Sequence, residues 1–133
     1  MISPKVQDIM AGVKQCVRGN VNEGDEVAVI ASSDVHPDCY FGMMFATQML
    51  AKDTTLALNP FKPSGKIVTW ETEWSGGEAV PSNIIDLMKS VDVVFILTNR
   101  GIDKAREEAL KHGKTKFVCT PRPHPDGLSG SGA

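Results

Sequence analysis

Two kinds of hydrophobic spacing alternate along the chain. In residues 5–18, Val6, Ile9, Met10, Val13 and Val17 recur at intervals of three and four, which marks one face of a helix. Ser3 suits the N-cap and Pro4 the first helical position, and Gly19-Asn20 can supply a left-handed stop. Glu26-Val27-Ala28-Val29-Ile30-Ala31 has a different character: short, nearly all apolar and rich in Val and Ile. Such a run suits a strand buried on both faces, as in a parallel sheet. A polar loop, Ser32-Ser33-Asp34-Val35-His36-Pro37, leads into a second helix over residues 38–52. Tyr40, Met43, Met44, Thr47, Leu50 and Ala51 form its inner face, and its methionines read as core rather than as a cofactor box.

The middle of the chain is less regular. Residues 54–58 suit a short strand, and Asn59-Pro60-Phe61-Lys62-Pro63-Ser64-Gly65 is punctuated as a loop. Residues 66–74 alternate partially with period two, as an edge strand or hairpin arm does. Ser82 is placed to cap a short helix carrying Ile84, Ile85, Leu87 and Met88. Val91-Asp92-Val93-Val94-Phe95-Ile96-Leu97 is the strongest strand signal, interrupted only by Asp92 near its start. Thr98-Asn99-Arg100-Gly101 turns into a helix over residues 102–112, with Gly113 as its stop, and residues 116–120 form a last strand.

This order predicts an α/β fold: an open, mostly parallel twisted sheet with helices on both faces, Rossmann-like or flavodoxin-like, with room for one antiparallel edge strand. At 133 residues the chain has the size of one domain, assigned to residues 1–120. Residues 121–133, with alternating prolines followed by Gly and Ser, read as an extended connector and a flexible tail.

Composition narrows the function classes. A net charge of −2 with scattered Lys and Arg gives no basic footprint for nucleic acid. No apolar run approaches the roughly 18–20 residues that span a bilayer, and the first residues lack the pattern of a secretory signal. Cys16, Cys39 and Cys119 are odd in number and widely spaced, which fits reduced thiols in a cytoplasmic protein.

In open α/β sheets, ligands gather beyond the carboxyl ends of the strands. The loops expected there carry Ser32, Ser33, Asp34 and His36, then Thr98, Asn99 and Arg100, then Arg122 and His124. Helix N-termini attract anions, so Ser32, Ser33, Thr98, Asn99 and Arg100 suit a small carboxylate or phosphate. The same residue types also serve as plain caps and turn formers. The first strand-to-helix loop contains no glycine and the chain has no GxxxxGK[ST] segment, which argues against dinucleotides and nucleoside triphosphates. Asp34, His36 and Cys39 follow no established metal-ligand spacing. Cys119 with His124 or His36 is a candidate nucleophile pair, set against Cys as an ordinary buried strand residue. Trp70 and Trp74 share one strand face and suit an interface more than a ligand floor.

Three segments carry a family resemblance. Asn22-Glu23-Gly24-Asp25-Glu26-Val27-Ala28-Val29-Ile30, residues 90–101 (SVDVVFILTNRG) and Ala109-Leu110-Lys111-His112-Gly113-Lys114 together resemble the N-terminal α/β domain of the aminopeptidase T (thermophilic leucyl-aminopeptidase) and 2,5-dihydroxypyridine dioxygenase-like family. In that family the metal ligands lie in a second, C-terminal domain, so no catalytic residue carries over to a position of this sequence. The resemblance implies a lobe or subunit of a cytoplasmic metal-dependent hydrolase or ring-opening dioxygenase acting on a small polar or aromatic molecule. It implies no cofactor bound by this chain alone, a divalent metal in a partner domain or chain, and a second chain or a homo-oligomer as partner. Two other classes stay open: a non-catalytic module binding small anions through Ser32, Ser33, Asn99 and Arg100, and an oligomer-forming domain using Trp70, Trp74 and the Met-rich helix.

Overall fold

The two apolar runs with the fewest polar interruptions become the two central strands. In the computed structural model, which describes residues 2–59, 80–98, 103–111, 113–121 and 123–130, β1 (Glu26–Ser32) and β3 (Val93–Thr98) lie side by side. β2 (Asp53–Asn59) flanks β1, and β4 (Lys116–Pro121) flanks β3. The order is β2-β1-β3-β4 and every pairing is parallel. Burial follows position: all of β3 and all but the first residue of β1 are buried, whereas β2, at the margin of these four strands, exposes Asp53, Thr55 and Leu58. The candidate edge strand at residues 66–74, where an antiparallel pairing was expected, lies outside the described residues.

The helices are α1 (Pro4–Gly12), α2 (Lys14–Asn20), α3 (Pro37–Gln48), α4 (Ser82–Ser90), α5 (Asp103–Leu110) and α6 (Pro125–Leu128). They divide between the two sheet faces because successive strand residues point to opposite sides. Val27, Val29, Ala31, Val93, Phe95 and Leu97 pack against Ile9, Val13, Val17, Cys39, Tyr40 and Met43 of the α1–α3 layer. Ala28, Ile30, Val94 and Ile96 pack against Ile84, Met88 and Ala109 of α4 and α5. The chain steps from β1 to β2 on one side through α3, then back across β1 to β3 through α4. Crossovers of one hand taken in opposite directions put their helices on opposite faces.

Asp92, the polar interruption before β3, works at the amino edge. Its carboxylate accepts the Glu26 N–H at 3.0 Å, its N–H donates to Glu26 O at 2.9 Å and its carbonyl accepts the Lys116 N–H at 2.9 Å. It therefore straps β1 and β4 to the start of β3.

Several local expectations change. The helix predicted over residues 5–18 is two, divided at Val13 (φ −93°, ψ −1°). Val13 N–H still donates to Ile9 O and Val17 N–H to Val13 O, both at 2.9 Å, so the apolar stripe stays continuous. Ser3 caps α1 as expected, accepting the Val6 N–H at 3.2 Å. The left-handed stop at Gly19-Asn20 is not used: both stay helical, and the Asn20 amide donates to Cys16 O at 2.8 Å. Gly113 does stop its helix in the left-handed region, at φ 71°. At α4 the N-cap is Pro81 and Ser82 is the first helical residue.

The proline-rich tail also departs from its extended reading. His124 accepts the Asp126 N–H through Nδ1 at 3.1 Å and so caps α6. Leu128 packs on the core of the α1–α3 face, and Lys5 reaches Asp126 at 2.7 Å. Apolar cover for Leu128 and a capped first turn outweigh the extended bias of the prolines. Gly12 makes the approach possible, since a Cβ there would overlap the Leu128 carbonyl oxygen.

Gly12→Ala is therefore expected to push residues 125–130 off α1 without unfolding the sheet. Faster amide exchange at Leu128 and Ser129, with an unchanged unfolding midpoint, is the readout; unchanged exchange would refute the contact. The Lys5–Asp126 hydrogen bond holds the lysine above its usual pKa and the carboxyl below its own. A depressed carboxyl stabilises above its ordinary range and loses that contribution as pH falls through its folded value. A raised ammonium loses its contribution as pH rises through its folded value. Tail docking should therefore weaken at both pH extremes and hold between them.

Candidate functional site

The two central strands leave the sheet in opposite directions. After β1 the chain passes to α3 on one face, and after β3 it continues to α5 on the other. In open α/β sheets, ligands bind where adjacent strands part in this way, at the topological switch point. Register sets which residues end the two strands: Ala31 pairs with Leu97, and the next residues along each strand are Ser32 and Thr98. Ser32 also pairs with Asn59 at the end of β2, and Thr98 with Pro121 at the end of β4.

Five residues singled out from the sequence meet around this edge. Ser32 and Thr98 are buried at the strand ends. Ser33 donates its N–H to Asn59 O at 2.9 Å, tying the β1 loop to β2. Val35 N–H donates to Ser32 O at 3.0 Å and closes a turn around Asp34, with buried Val35 anchoring it. His36 caps α3, accepting the Asp38 N–H through Nδ1 at 3.1 Å, while its carbonyl accepts the Cys39 N–H. Asn99, Arg100, Arg122, Trp70 and Trp74 lie outside the described residues.

The start of α3, one of the two helix ends considered for an anion, carries its own carboxylate. Asp38 stands in the first turn of α3, and its carboxylate lies 3.7 Å from His36 Nδ1. A carboxylate in that position already satisfies the positive end of the helix dipole. His36 and His124 both spend Nδ1 as backbone caps, which removes that nitrogen from general-base or ligand duty. Cys39 is fully buried, and burial, reinforced by Asp38, pushes its thiol up to about 11. It packs in the core of the α1–α3 face as a neutral thiol. Cys119 is exposed at the end of β4, where Arg106 donates to its Sγ at 3.2 Å. Among the described residues no group of three His, Cys, Asp or Glu could hold a metal ion.

Asn59 is the residue the sequence reading passed over, assigning it to the loop before Pro60. It is buried at the last position of β2, beside Ser32. A polar residue closing an apolar run is the signal that could have found it. Away from this edge, a cavity of about 320 Å³ lies in the α1–α3 layer, lined by Met10, Lys14, Val17, Arg18, Met49 and Leu50 among others.

The fold defines the class: an open α/β sheet whose four described strands run parallel in the order 2-1-3-4. No family model matches the sequence, and no curated protein matches it. Among solved structures, the chain is similar to 2,5-dihydroxypyridine dioxygenase from Pseudomonas putida KT2440, with a TM-score of 0.70 and 19% identity. The likeness covers 95% of this chain but 36% of that one, so the chain spans about a third of the length of the protein it matches. At that identity the likeness is one of fold, and it falls on the family that the sequence patterns resemble. Among the described residues no helix is long and apolar enough to cross a membrane.

Proposed function

We propose that this chain is one lobe or subunit of a cytoplasmic metal-dependent enzyme, of the hydrolase or ring-opening dioxygenase type, acting on a small polar or aromatic molecule. The carrying observation is the unequal coverage: nearly all of this chain corresponds to about a third of the dioxygenase. The sheet edge supplies one wall of the pocket. Ser32, Ser33, Asp34, His36 and Thr98 line it, with Asn99, Arg100 and Arg122 as further candidates from the neighbouring loops. Their work is to bind and orient the substrate and to exclude water. The described side chains do not fit a metal centre: two histidines cap helices and Cys39 is a buried neutral thiol. The metal belongs to another domain or chain, and it would supply Lewis-acid or oxygen chemistry there.

The test combines composition with activity. The chain purified from its native source is analysed by intact mass for a second polypeptide. The chain alone is then dialysed against Fe(II) or Zn(II) and assayed for oxygen uptake with 2,5-dihydroxypyridine and for release of leucine from leucyl peptides. Substoichiometric metal and no turnover by the chain alone, with a co-purifying second chain, is the expected result. A folded, metal-loaded single chain of 133 residues that turns over either substrate would overturn the proposal.

A further inference from the structure

One row of the sheet breaks its apolar pattern on the α4–α5 face. Register pairs Ala57 with Ile30 and Ile30 with Ile96, and all three contribute to the core on that face. Two residues further along each strand, pointing the same way, come Asn59, Ser32 and Thr98. All three are buried, Asn59 to 9% exposure. The final row before the crevice is therefore polar across β2, β1 and β3.

Asn59 stands out within it. Its Oδ1 is buried and accepts no hydrogen bond from the described residues. Buried polar atoms in native proteins nearly always have a partner, and leaving one without is costly. A strand-end side chain in the last row before the carboxyl edge is where such a cost can be recovered, when a bound molecule supplies the donor.

We infer that Asn59 is a ligand-binding residue of the carboxyl-edge crevice, its Oδ1 accepting a hydrogen bond from a hydroxyl or ring N–H of a small neutral polar molecule. The inference rests on the reading of that edge as a ligand crevice, and it sharpens the ligand class. An amide oxygen is the negative end of a dipole, so a carboxylate or phosphate would set oxygen against oxygen there. A donor-bearing ring or alcohol gains the bond, and its apolar body can lie over Ala57, Ile30 and Ile96.

The test is an NMR titration of the 15N-labelled full chain. The probes are 3-hydroxypyridine, its donorless analogue 3-methoxypyridine, pyridine-3-carboxylate and inorganic phosphate. The amides of Ser33 and of the Asn59 side chain report on the edge. We expect 3-hydroxypyridine to move both signals and to bind about tenfold tighter than 3-methoxypyridine, as one neutral hydrogen bond gives. In Asn59→Leu that discrimination should vanish. The unliganded variant should melt higher by roughly 2–5 °C, because an orphaned acceptor has been replaced by an apolar group of similar volume.

A lower melting temperature for Asn59→Leu would show the amide to be structurally bonded and would overturn the inference. Retained discrimination in the variant would also overturn it, while leaving the crevice reading intact. Tighter binding of pyridine-3-carboxylate or phosphate would overturn it in favour of an anion site. No movement of any edge signal with any probe would sink both readings.

Discussion

Phe95→Ala is expected to lower the free energy of unfolding by about 3–5 kcal/mol, the range for truncating a large buried aromatic side chain. Phe95 has no exposed surface and sits mid-way along β3. It points into the α1–α3 face, with Val29 and Val118 as its register partners on either side. The void cannot close easily, because β3 is held by backbone hydrogen bonds to both β1 and β4. A domain of this kind has about 5–15 kcal/mol of stability in total, so the loss is a large fraction. Urea unfolding measures it, with Leu58→Ala as the comparison: Leu58 is 42% exposed at the margin and should cost far less. Similar losses at the two positions would mean that the sheet is not buried on both faces as described.

The second large effect belongs to Gly42. α1 crosses α3 so closely that a Cβ at Gly42 would overlap the Cβ and Cγ2 of Ile9. Ile9 is itself fully buried, so it has nowhere to move. Gly42→Val should therefore cost about 1–3 kcal/mol or more, the range for overpacking a filled core. This is opposite in sign to the gain that replacing a mid-helix glycine usually brings. A double-variant cycle isolates the cause: Gly42→Ala should cost less in an Ile9→Ala background, where Cγ2 is gone. If the two substitutions are additive in chemical denaturation, the close crossing of α1 and α3 is wrong.

Much of the architecture was readable because a parallel sheet imposes a strong local signature. A strand covered on both faces must be apolar at every position, so EVAVIA and VDVVFIL declared themselves and took the centre. Periodic spacing announced one helix over residues 5–18 and a second after Pro37, although the structure divides the first at Val13 and ends the second at Gln48. From element order alone the carboxyl edge became the candidate site, and Ser32, Ser33, Asp34, His36 and Thr98 do meet there. Local pattern failed where distant atoms decide. Nothing near Val13 announces a break, and nothing near Pro125 announces a helix. That helix depends on Leu128 finding the core and on Gly12, more than a hundred residues away, lacking a side chain. His36 and His124 cap helices through Nδ1, because the backbone N–H two residues on reaches it first.

The sequence by itself determined the class of fold, the central strands and the edge at which to look for a ligand. These follow from periodicity and from residue types at fixed offsets, which are local properties. Only the tertiary structure decided the 2-1-3-4 order, the sharing of helices between the faces, and the polar row of Asn59, Ser32 and Thr98. Strand register, set by pairing between segments dozens of residues apart, brings those three side chains to one face. Burial, which no local pattern encodes, leaves the Asn59 side-chain amide oxygen there without a donor among the described residues.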